Sequence, residues 1–488
     1  MKIVYKSIII AAATVLLWGC ENWLDVKPQQ QVDASVLFSR EDGFKDALAG
    51  VYISLVSQNM YGAEMTFGLV DVIGGVYTTM GSTYTRAWNG EYDNPLIERM
   101  INNIWWTGYE TIANLNNLID HLKKADQSLF SPDNYNVILG EALALRAFIH
   151  CDLLRLFAPS YAADPMAKAI PYVTSYAFTM TPQYTVSGVL DSVMRDANAA
   201  LLLLRTSDPI YTGREITTFD DDGYLLNRKE NMNYYAVLGL MARVHLYRGE
   251  MSDAARCAQE VITSGVARWV AFNEVSQSLP ETRDRTFSPE HIFALDARRL
   301  NEYVNSRIAG LSGSSPNTLT RLTFTQSYLL NTLYPYSGDW RRFLYRLPTY
   351  ALNDNADYEC IKYGIIGTSV ALGFRNLLPL MRLPEMQLIW AEALLNTDPP
   401  HAAMLVNELV APNRGFSAGV VAEDASVDTI REAILLEYRR EFVAEGQMFF
   451  YHKRLDLPAI VGGPVDFNKS RYVLPMPQEE IEFGQRTN

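Results

Sequence analysis

A helix hairpin of the repeat type, predicted over residues 234–264, restricts the fold of this chain more than any other sequence feature. The residues that carry the pattern are Met241-Ala242, His245, Gly249-Glu250-Met251, Ala254, Ala258 and Val261. Their spacing fits a tetratricopeptide helix pair, in which a small residue in the first helix and an alanine in the second allow the two helices to pack closely. The hairpin therefore predicts a helical scaffold.

Two other stretches, Glu141–Ala158 and Leu388–Val410, share this preference for small residues. Three or four such hairpins, separated by long insertions, would form one superhelical face. A contiguous solenoid keeps a regular period and this chain does not, so we expect a repeat scaffold that other material interrupts. The predicted fold class is all-α, predominantly helical, with a tetratricopeptide-like helix-hairpin scaffold and a large loop-rich lobe.

Apolar periodicity predicts further elements outside the hairpins. The predicted helices are one with an apolar face from Phe44 to Leu55, then Ile97–Lys124, Ser187–Leu204 and Ile434–Phe450, and a short strand is expected over Glu290–Leu295. In the last helix, Arg439 and Arg440 could form a basic patch or part of a salt-bridge lattice. We favour the lattice because acidic residues lie within helical reach of both arginines.

The first 25 residues have the pattern of an export signal. Lys2 and Lys6 precede an uncharged run from Ser7 to Gly19, which is too short to remain in a bilayer as a spanning helix. The run ends at Leu17-Trp18-Gly19-Cys20, which resembles a bacterial lipoprotein cleavage box. We therefore predict a signal peptide over 1–19, lipidation of Cys20 and a polar tether over 20–32; the alternative is a plain secretion signal with an incidental cysteine.

The net charge and the absence of known catalytic motifs exclude several classes of function. The net charge of −13 argues against nucleic acid as a partner and against electrostatic docking on anionic lipid. The sequence contains no HExxH, Walker, GxSxG or GxGxxG motif, so we predict a protein that is not an enzyme and has no cofactor. The acidic stretch Thr217–Gly223 fails the EF-hand spacing, and we interpret it as a solvated turn with no metal.

Two loop-rich regions are unusually aromatic, and they are the candidate ligand sites. The first, residues 59–91, is punctuated by glycines, and long irregular segments of this kind are usually functional if they are ordered. The second spans residues 269–373. Flat rings with polar neighbours suit sugars or peptides. The candidate ligand residues are Tyr84, Arg86, Trp88, Asn89 and Tyr92 from the first region and Arg299 and Tyr303 from the second; the alternative for each is loop packing.

Seven segments in order resemble the SusD/RagB family of nutrient-binding outer-membrane lipoproteins. They span nearly the whole chain: Cys20–Pro28, Phe44–Tyr52, Glu141–Phe148, Ala242–Tyr247, Met381–Met386 with Trp390–Ala393, Glu437–Phe442 with Glu445-Gly446, and Leu474–Ile481. The chain departs from the family pattern at Pro384, where alanine is usual, and at Tyr438, where arginine is usual. The resemblance implies a single SusD-like domain over 33–488, with an N-terminal part of about 33–225 and a C-terminal part of about 270–488 that both contribute to the scaffold.

The resemblance also implies a function. Members of the family capture an oligosaccharide, or in some branches a peptide, and close as a lid over a SusC-like TonB-dependent transporter. The expected location is the outer membrane, lipid-anchored and facing the cell exterior. Two other functions stay open at this point: a surface lipoprotein hydrolase, which would need paired carboxylates in a loop pocket, and a tetratricopeptide assembly factor that binds only protein.

Overall fold

The computed structural model describes residues 34–310, 317–348, 356–364 and 373–486. The predicted signal peptide, Cys20 and the tether over 20–32 lie outside these residues. The α-helices are α1 Ala34–Leu37, α2 Glu41–Leu55, α3 Leu69–Ile73, α4 Ser82–Trp88, α5 Pro95–Leu122, α6 Asn134–Phe157, α7 Val186–Ser207, α8 Pro209–Thr212, α9 Tyr234–Arg248, α10 Met251–Thr263, α11 Phe272–Val275, α12 Leu300–Asn305, α13 Leu383–Leu394, α14 Pro399–Val410, α15 Val427–Glu441, α16 Gln447–Arg454 and α17 Gln478–Phe483.

Short helices and strands occupy the connections between these α-helices. The 3-10 helices are Gln127–Leu129, Asp221–Gly223, Arg228–Glu230, Pro280–Thr282, Ser288–Glu290, Trp340–Leu344 and Lys469–Tyr472, and a π-helix spans Tyr328–Leu333. The strands are β1 Thr79–Met80, β2 Lys168–Pro171, β3 Gln183–Thr185, β4 His291–Asp296, β5 Leu322–Thr323, β6 Tyr345–Arg346, β7 Glu359–Cys360 and β8 Leu377–Arg382. They form the antiparallel pairs β1–β5, β2–β3, β4–β8 and β6–β7.

The scaffold is a stack in which each long helix packs on the next, in the order α5, α6, α7, α9, α10, α13, α14 and α15. The predicted hairpin is confirmed as α9 and α10, joined by Gly249 in the left-handed region at φ 77°. The stretch predicted over 388–410 is the hairpin of α13 and α14. Helices dominate and the strands are short, so the all-α class is confirmed.

Local sequence explains where the scaffold helices begin. In α5, the Asn94 side chain accepts a hydrogen bond from the Leu96 amide at 3.1 Å, and Pro95 occupies the first turn, where no amide hydrogen is needed. In α7, Thr185 accepts from the Gly188 amide at 3.1 Å. By contrast, α6 is buried along almost its whole length. It is therefore the central helix of the N-terminal part, and its small residues allow neighbours on every side.

The helix predicted over Ile434–Phe450 is wrong in its extent. The structure divides this stretch into α15 and α16, and residues 442–446 between them are not helical. The buried Asp71 carboxylate of α3 accepts hydrogen bonds there from the amides of Ala444, at 2.8 Å, and Gly446, at 2.9 Å. Gly446 has a φ of 71°, and a Cβ atom on it would lie 2.1 Å from the Met65 carbonyl oxygen. A distant acid therefore ends the helix.

A buried ion network holds the C-terminal half together. The Arg382 guanidinium, fully buried at the end of β8, bonds Glu290 at 3.0 Å, Glu441 at 2.8 Å and Glu445 at 2.6 Å. Arg414, which follows α14, bonds Glu290 at 2.8 Å and Glu441 at 2.7 Å. Although burial raises the pKa of a carboxyl group, the arginines around Glu441 hold its pKa well below the usual range. The predicted lattice is confirmed for Arg440, which pairs with Glu437 of α15 at 2.7 Å. It is wrong for Arg439, which donates to the Tyr328 hydroxyl at 2.6 Å, and the main partners of Glu441 and Glu445 come from other segments.

Loss of one cation from this network should destabilise the protein strongly. Arg414→Met leaves Glu290 and Glu441 buried with one partner fewer, and we expect the free energy of unfolding to fall by about 3–5 kcal/mol. Urea unfolding monitored by circular dichroism measures the change. Arg431→Met is the matched control, because Arg431 pairs with Asp428 at the surface and its loss should cost no more than about 1 kcal/mol. Equal effects of the two substitutions would contradict a structural role for the network.

His150 of α6 is held as a neutral imidazole. Its Nδ1 donates to the Arg146 carbonyl at 2.8 Å, and its Nε2 accepts from the Val173 amide at 3.0 Å. Because one nitrogen must accept, the ring cannot be protonated without losing a bond. Burial accordingly lowers the pKa of His150 to about 3.

This shift predicts a loss of stability in acid. The pKa of His150 is about 3 in the folded protein and about 6.5 in the unfolded chain, so the unfolded state takes up the proton first as the pH falls. The contribution is fully present above pH 6.5 and decreases by about 1.4 kcal/mol per pH unit below it. In His150→Gln, we expect the free energy of unfolding to depend less steeply on pH between 6.5 and 5, by about 2 kcal/mol in total. Identical slopes in the variant and the wild type would exclude this role.

Candidate functional site

The two aromatic loop regions that the sequence singles out lie against each other in the fold. Strand β1 pairs with β5, with Thr79 opposite Thr323 and Met80 opposite Leu322. The Thr83 amide also donates to the Leu319 carbonyl at 3.0 Å. The two regions are therefore neighbours, although the paired residues are more than 200 positions apart in sequence.

Tyr84 lies inside the protein, where it joins the two regions. Its hydroxyl donates to the Glu64 carboxylate at 3.0 Å and accepts from Arg307 Nε at 3.0 Å. Arg307 also forms an ion pair with Glu64 at 2.8 Å. Tyr84 is fully buried and burial raises the pKa of its hydroxyl, so it presents no ring face to a ligand. Its role in this structure is to fix the loop that carries Arg307.

The other candidates of the first region lie at or near the surface. The exposed Arg86 forms an ion pair with Glu91 at 3.1 Å, and Asn89 donates to the same carboxylate at 3.3 Å. Trp88 is half-buried and packs against the hydrophobic core. The structure thus separates these three residues from Tyr84, and a ligand role for them stays a prediction.

Tyr92 lines a cavity of its own, at the C-terminal end of the chain. Its hydroxyl donates to the Arg471 carbonyl at 3.0 Å. The cavity has a volume of about 530 Å³, and segment 473–476 forms its apolar wall, facing Asp93 and Glu98. Tyr92 and the pair Arg299 and Tyr303 therefore belong to different cavities.

The second pair of candidates, Arg299 and Tyr303, shares one cavity of about 530 Å³, which we call the Tyr303 cavity. It lies between the C-terminal end of α2 and the segment that follows β4. Its lining residues are Ile53, Val56, Ser57, Asp296, Arg298, Arg299 and Tyr303. The size suits a ligand of a few sugar rings or a few amino acids.

Polar side chains at the mouth of the Tyr303 cavity are held in place by one another. Arg298 pairs with Asp296 at 3.3 Å, and Arg299 pairs with Glu302 at 2.8 Å. The Arg299 guanidinium also lies 5.6 Å from the centre of the Tyr303 ring, within the range of a cation–π contact. These pairs are solvent-exposed, so each contributes little to stability and its groups can exchange partners at low cost.

The position of Tyr303 depends on the buried link at Tyr84. Arg307, which that link holds, donates to the Tyr303 carbonyl at 3.5 Å, and the Ser306 hydroxyl donates to the same oxygen at 2.9 Å. Helix α12 is thereby attached to the N-terminal part of the chain. The arrangement places a half-buried aromatic ring, exposed hydrogen-bonding groups and the aliphatic side chain of Ile53 around one opening.

The α2 wall of this cavity was not predicted from the sequence. Ile53 is 70% exposed and lies off the buried face of α2, which carries Phe44, Leu48, Val51 and Leu55. An isoleucine outside the apolar stripe was the available signal, but a single exposed apolar residue is common on protein surfaces. The hydroxyl oxygen of Ser57, also in this wall, is buried and has no hydrogen-bond partner among the described residues.

The acidic turn near residue 220 has an internal structural role. Asp220 accepts from the amide and hydroxyl of Thr217, at 2.8 and 2.7 Å, and Asp221 pairs with Lys45 at 2.6 Å. Within the described ranges, no group of three or more His, Cys, Asp or Glu side chains is arranged to hold a metal ion. In the same part of the chain, no helix combines the length and the apolar character that a bilayer crossing requires.

Comparison with solved structures identifies the fold. A SusD superfamily protein from Bacteroides thetaiotaomicron superimposes with a TM-score of 0.69 at 22% identity, over 91% of this chain and 98% of that one. A SusD-like carbohydrate binding protein from Bacteroides vulgatus superimposes with a TM-score of 0.68 at 18% identity, over 91% of this chain and 97% of that one. A SusD superfamily protein from Bacteroides fragilis superimposes with a TM-score of 0.66 at 18% identity, over 93% of this chain and 100% of that one. At these identities, the likeness shows the fold alone.

Family models match both ends of the domain. A model described as starch-binding associating with outer membrane matches residues 22–214, and the SusD family model matches residues 373–459. The curated proteins contain no significant match to this chain. The two matches, the helical scaffold and the structural neighbours agree, and this chain belongs to the SusD/RagB family.

Proposed function

We propose that this protein captures an oligosaccharide in the Tyr303 cavity and serves as a lid on a SusC-like TonB-dependent transporter. The observation that carries the proposal is the wall of the cavity, where the Tyr303 ring lies beside Arg299 and Asp296. Sugars are bound by stacking of their apolar face on an aromatic ring and by hydrogen bonds to their hydroxyl groups. Arg299 can donate such bonds and Asp296 can accept them.

The proposed role is binding without chemistry. Glycoside hydrolysis needs two carboxyl groups on either side of the scissile bond. Asp296 is the single carboxylate that lines the Tyr303 cavity among the described residues, and it is paired with Arg298. The related protein from Bacteroides vulgatus, named as carbohydrate binding, supports the same class of activity.

Peptide cargo is the second candidate, because the same groups suit a peptide. Arg299 could bind a peptide carbonyl or carboxylate, and Ile53 and Val56 offer an apolar surface for a side chain. Affinity measurements with both ligand classes decide between the two. We propose oligosaccharide because the ring of Tyr303 adds a stacking surface beside the polar groups.

Removal of the Tyr303 ring should weaken glycan binding. In Tyr303→Ala, we expect the dissociation constant for a bound glycan to rise by about two- to tenfold, because an aromatic contact contributes about 0.5–1.5 kcal/mol. Calorimetry with a panel of α-glucans, mannans, xylans and pectins, and with a casein peptide digest, provides the measurement. Tyr303→Phe should retain most of the affinity.

The control for this experiment is Tyr176→Ala, which removes a tyrosine that is 56% exposed and does not line the cavity. A glycan that binds Tyr303→Ala as tightly as wild type would refute the assigned site. Binding of the peptide digest alone would refute the assigned cargo and favour the second candidate.

The lid role depends on attachment to the membrane, which we assign to Cys20. The chain carries a net charge of −13 and would be repelled by anionic lipid, so an acyl anchor has to hold it. Cys20→Ala should fold and bind ligand with unchanged affinity, leave the membrane fraction and fail to support uptake. Cell fractionation and a growth assay on the identified glycan test this expectation. Normal uptake by the Cys20→Ala strain is the result that excludes the tether from the mechanism.

A further inference from the structure

A second cleft, of about 490 Å³, lies between segment 209–230 and the start of β4, and we call it the Lys229 cleft. It is separate from the Tyr303 cavity and shares no lining residue with it. Half of its lining residues are aliphatic: Pro209, Ile210, Ile216, Leu225, Leu226, Ala294 and Leu377. The polar half includes two arginines that already have partners, Arg214 with Asp133 and Arg228 with Glu141 and Asp208. No Trp, Tyr or Phe of the described residues lines this cleft, so it lacks the flat surface on which a sugar ring stacks.

Two oppositely charged side chains in the wall have no partner among the described residues. Lys229 and Glu230 are adjacent in sequence and both are half-buried, yet within the described ranges neither side chain forms an ion pair or a hydrogen bond. Burial lowers the pKa of Lys229 and raises the pKa of Glu230, so each charge carries a desolvation cost. A ligand with complementary charges would offset that cost.

A buried histidine in the same wall adds a hydrogen-bond acceptor. His291, only 1% exposed at the start of β4, uses its Nε2 to donate to the Thr286 carbonyl at 2.9 Å. Its Nδ1 therefore carries the lone pair, and this atom is buried without a partner among the described residues. Burial lowers the pKa of His291 to about 3, so Nδ1 accepts a hydrogen bond and does not donate one at neutral pH.

These groups select one kind of ligand. A fatty acid would pair with Lys229 but leave Glu230 unpaired, and an alkylamine would do the reverse. An aliphatic α-amino acid carries a carboxylate for Lys229, an ammonium group for Glu230 and a side chain for the aliphatic part of the wall. We propose that the Lys229 cleft binds a zwitterionic aliphatic α-amino acid such as leucine, independently of glycan capture in the Tyr303 cavity.

Leucine and its blocked derivatives test the proposal on the unmodified protein. Calorimetric titration should detect binding of leucine, with affinity at least about tenfold weaker for leucine amide, which lacks the carboxylate, and for N-acetylleucine, which lacks the ammonium group. No detectable leucine binding would overturn the proposal. So would equal affinity for the three compounds, or tighter binding of glucose than of leucine.

Variants locate the binding event. Lys229→Met and Glu230→Gln should each weaken leucine binding by at least about tenfold, while Lys124→Met, at an exposed lysine outside the cleft, should leave it unchanged. Tyr303→Ala should retain leucine binding, so failure of the glycan site and failure of this one are distinguishable. Leucine binding that survives both Lys229→Met and Glu230→Gln would place the ligand elsewhere and overturn the assignment.

Discussion

The buried ion network around Glu441 is the interaction on which the C-terminal half depends. It joins residues from β8, α15 and the segments after α14 and before β4. Within the described residues, the cations and carboxylates of the network are equal in number: Arg341, Arg382, Arg414, Arg440 and Lys362 face Asp339, Glu290, Glu437, Glu441 and Glu445. Charges buried this deeply are tolerated only as a complete set, so the network specifies one arrangement of the segments it joins.

The helical scaffold could be predicted from sequence because its signals are local. Small residues at fixed steps and caps such as Asn94 identify hairpins without knowledge of the rest of the chain. The break between α15 and α16 could not be predicted from sequence, because the Asp71 carboxylate that binds its amides lies more than 370 positions away in the chain. A salt-bridge lattice was also predicted for α15, but most residues that pair with its carboxylates, such as Arg382, are remote in sequence. Periodicity reports which face of a helix is buried and not what it is buried against.

In the candidate site, too, local features could be predicted from sequence and long-range contacts could not. Aromatic content pointed to two loop regions that lie against each other in the fold, and two of the candidates, Arg299 and Tyr303, share a cavity. Composition could not separate these residues from Tyr84, which is buried because Glu64 and Arg307 surround its hydroxyl. An exposed ring and a buried ring look alike in sequence, and only the packing of both regions distinguishes them. The Lys229 cleft had no sequence signal, since its charges stand out only because the fold leaves them unpaired.

The lining of the Tyr303 cavity includes no residue of the ion network. We therefore expect substitutions at Ile53, Arg298 or Tyr303 to leave the network intact and to cost little folding stability, whereas loss of a network partner should cost much more. Under the proposed function, the loops around this cavity are therefore the natural place to engineer a new specificity.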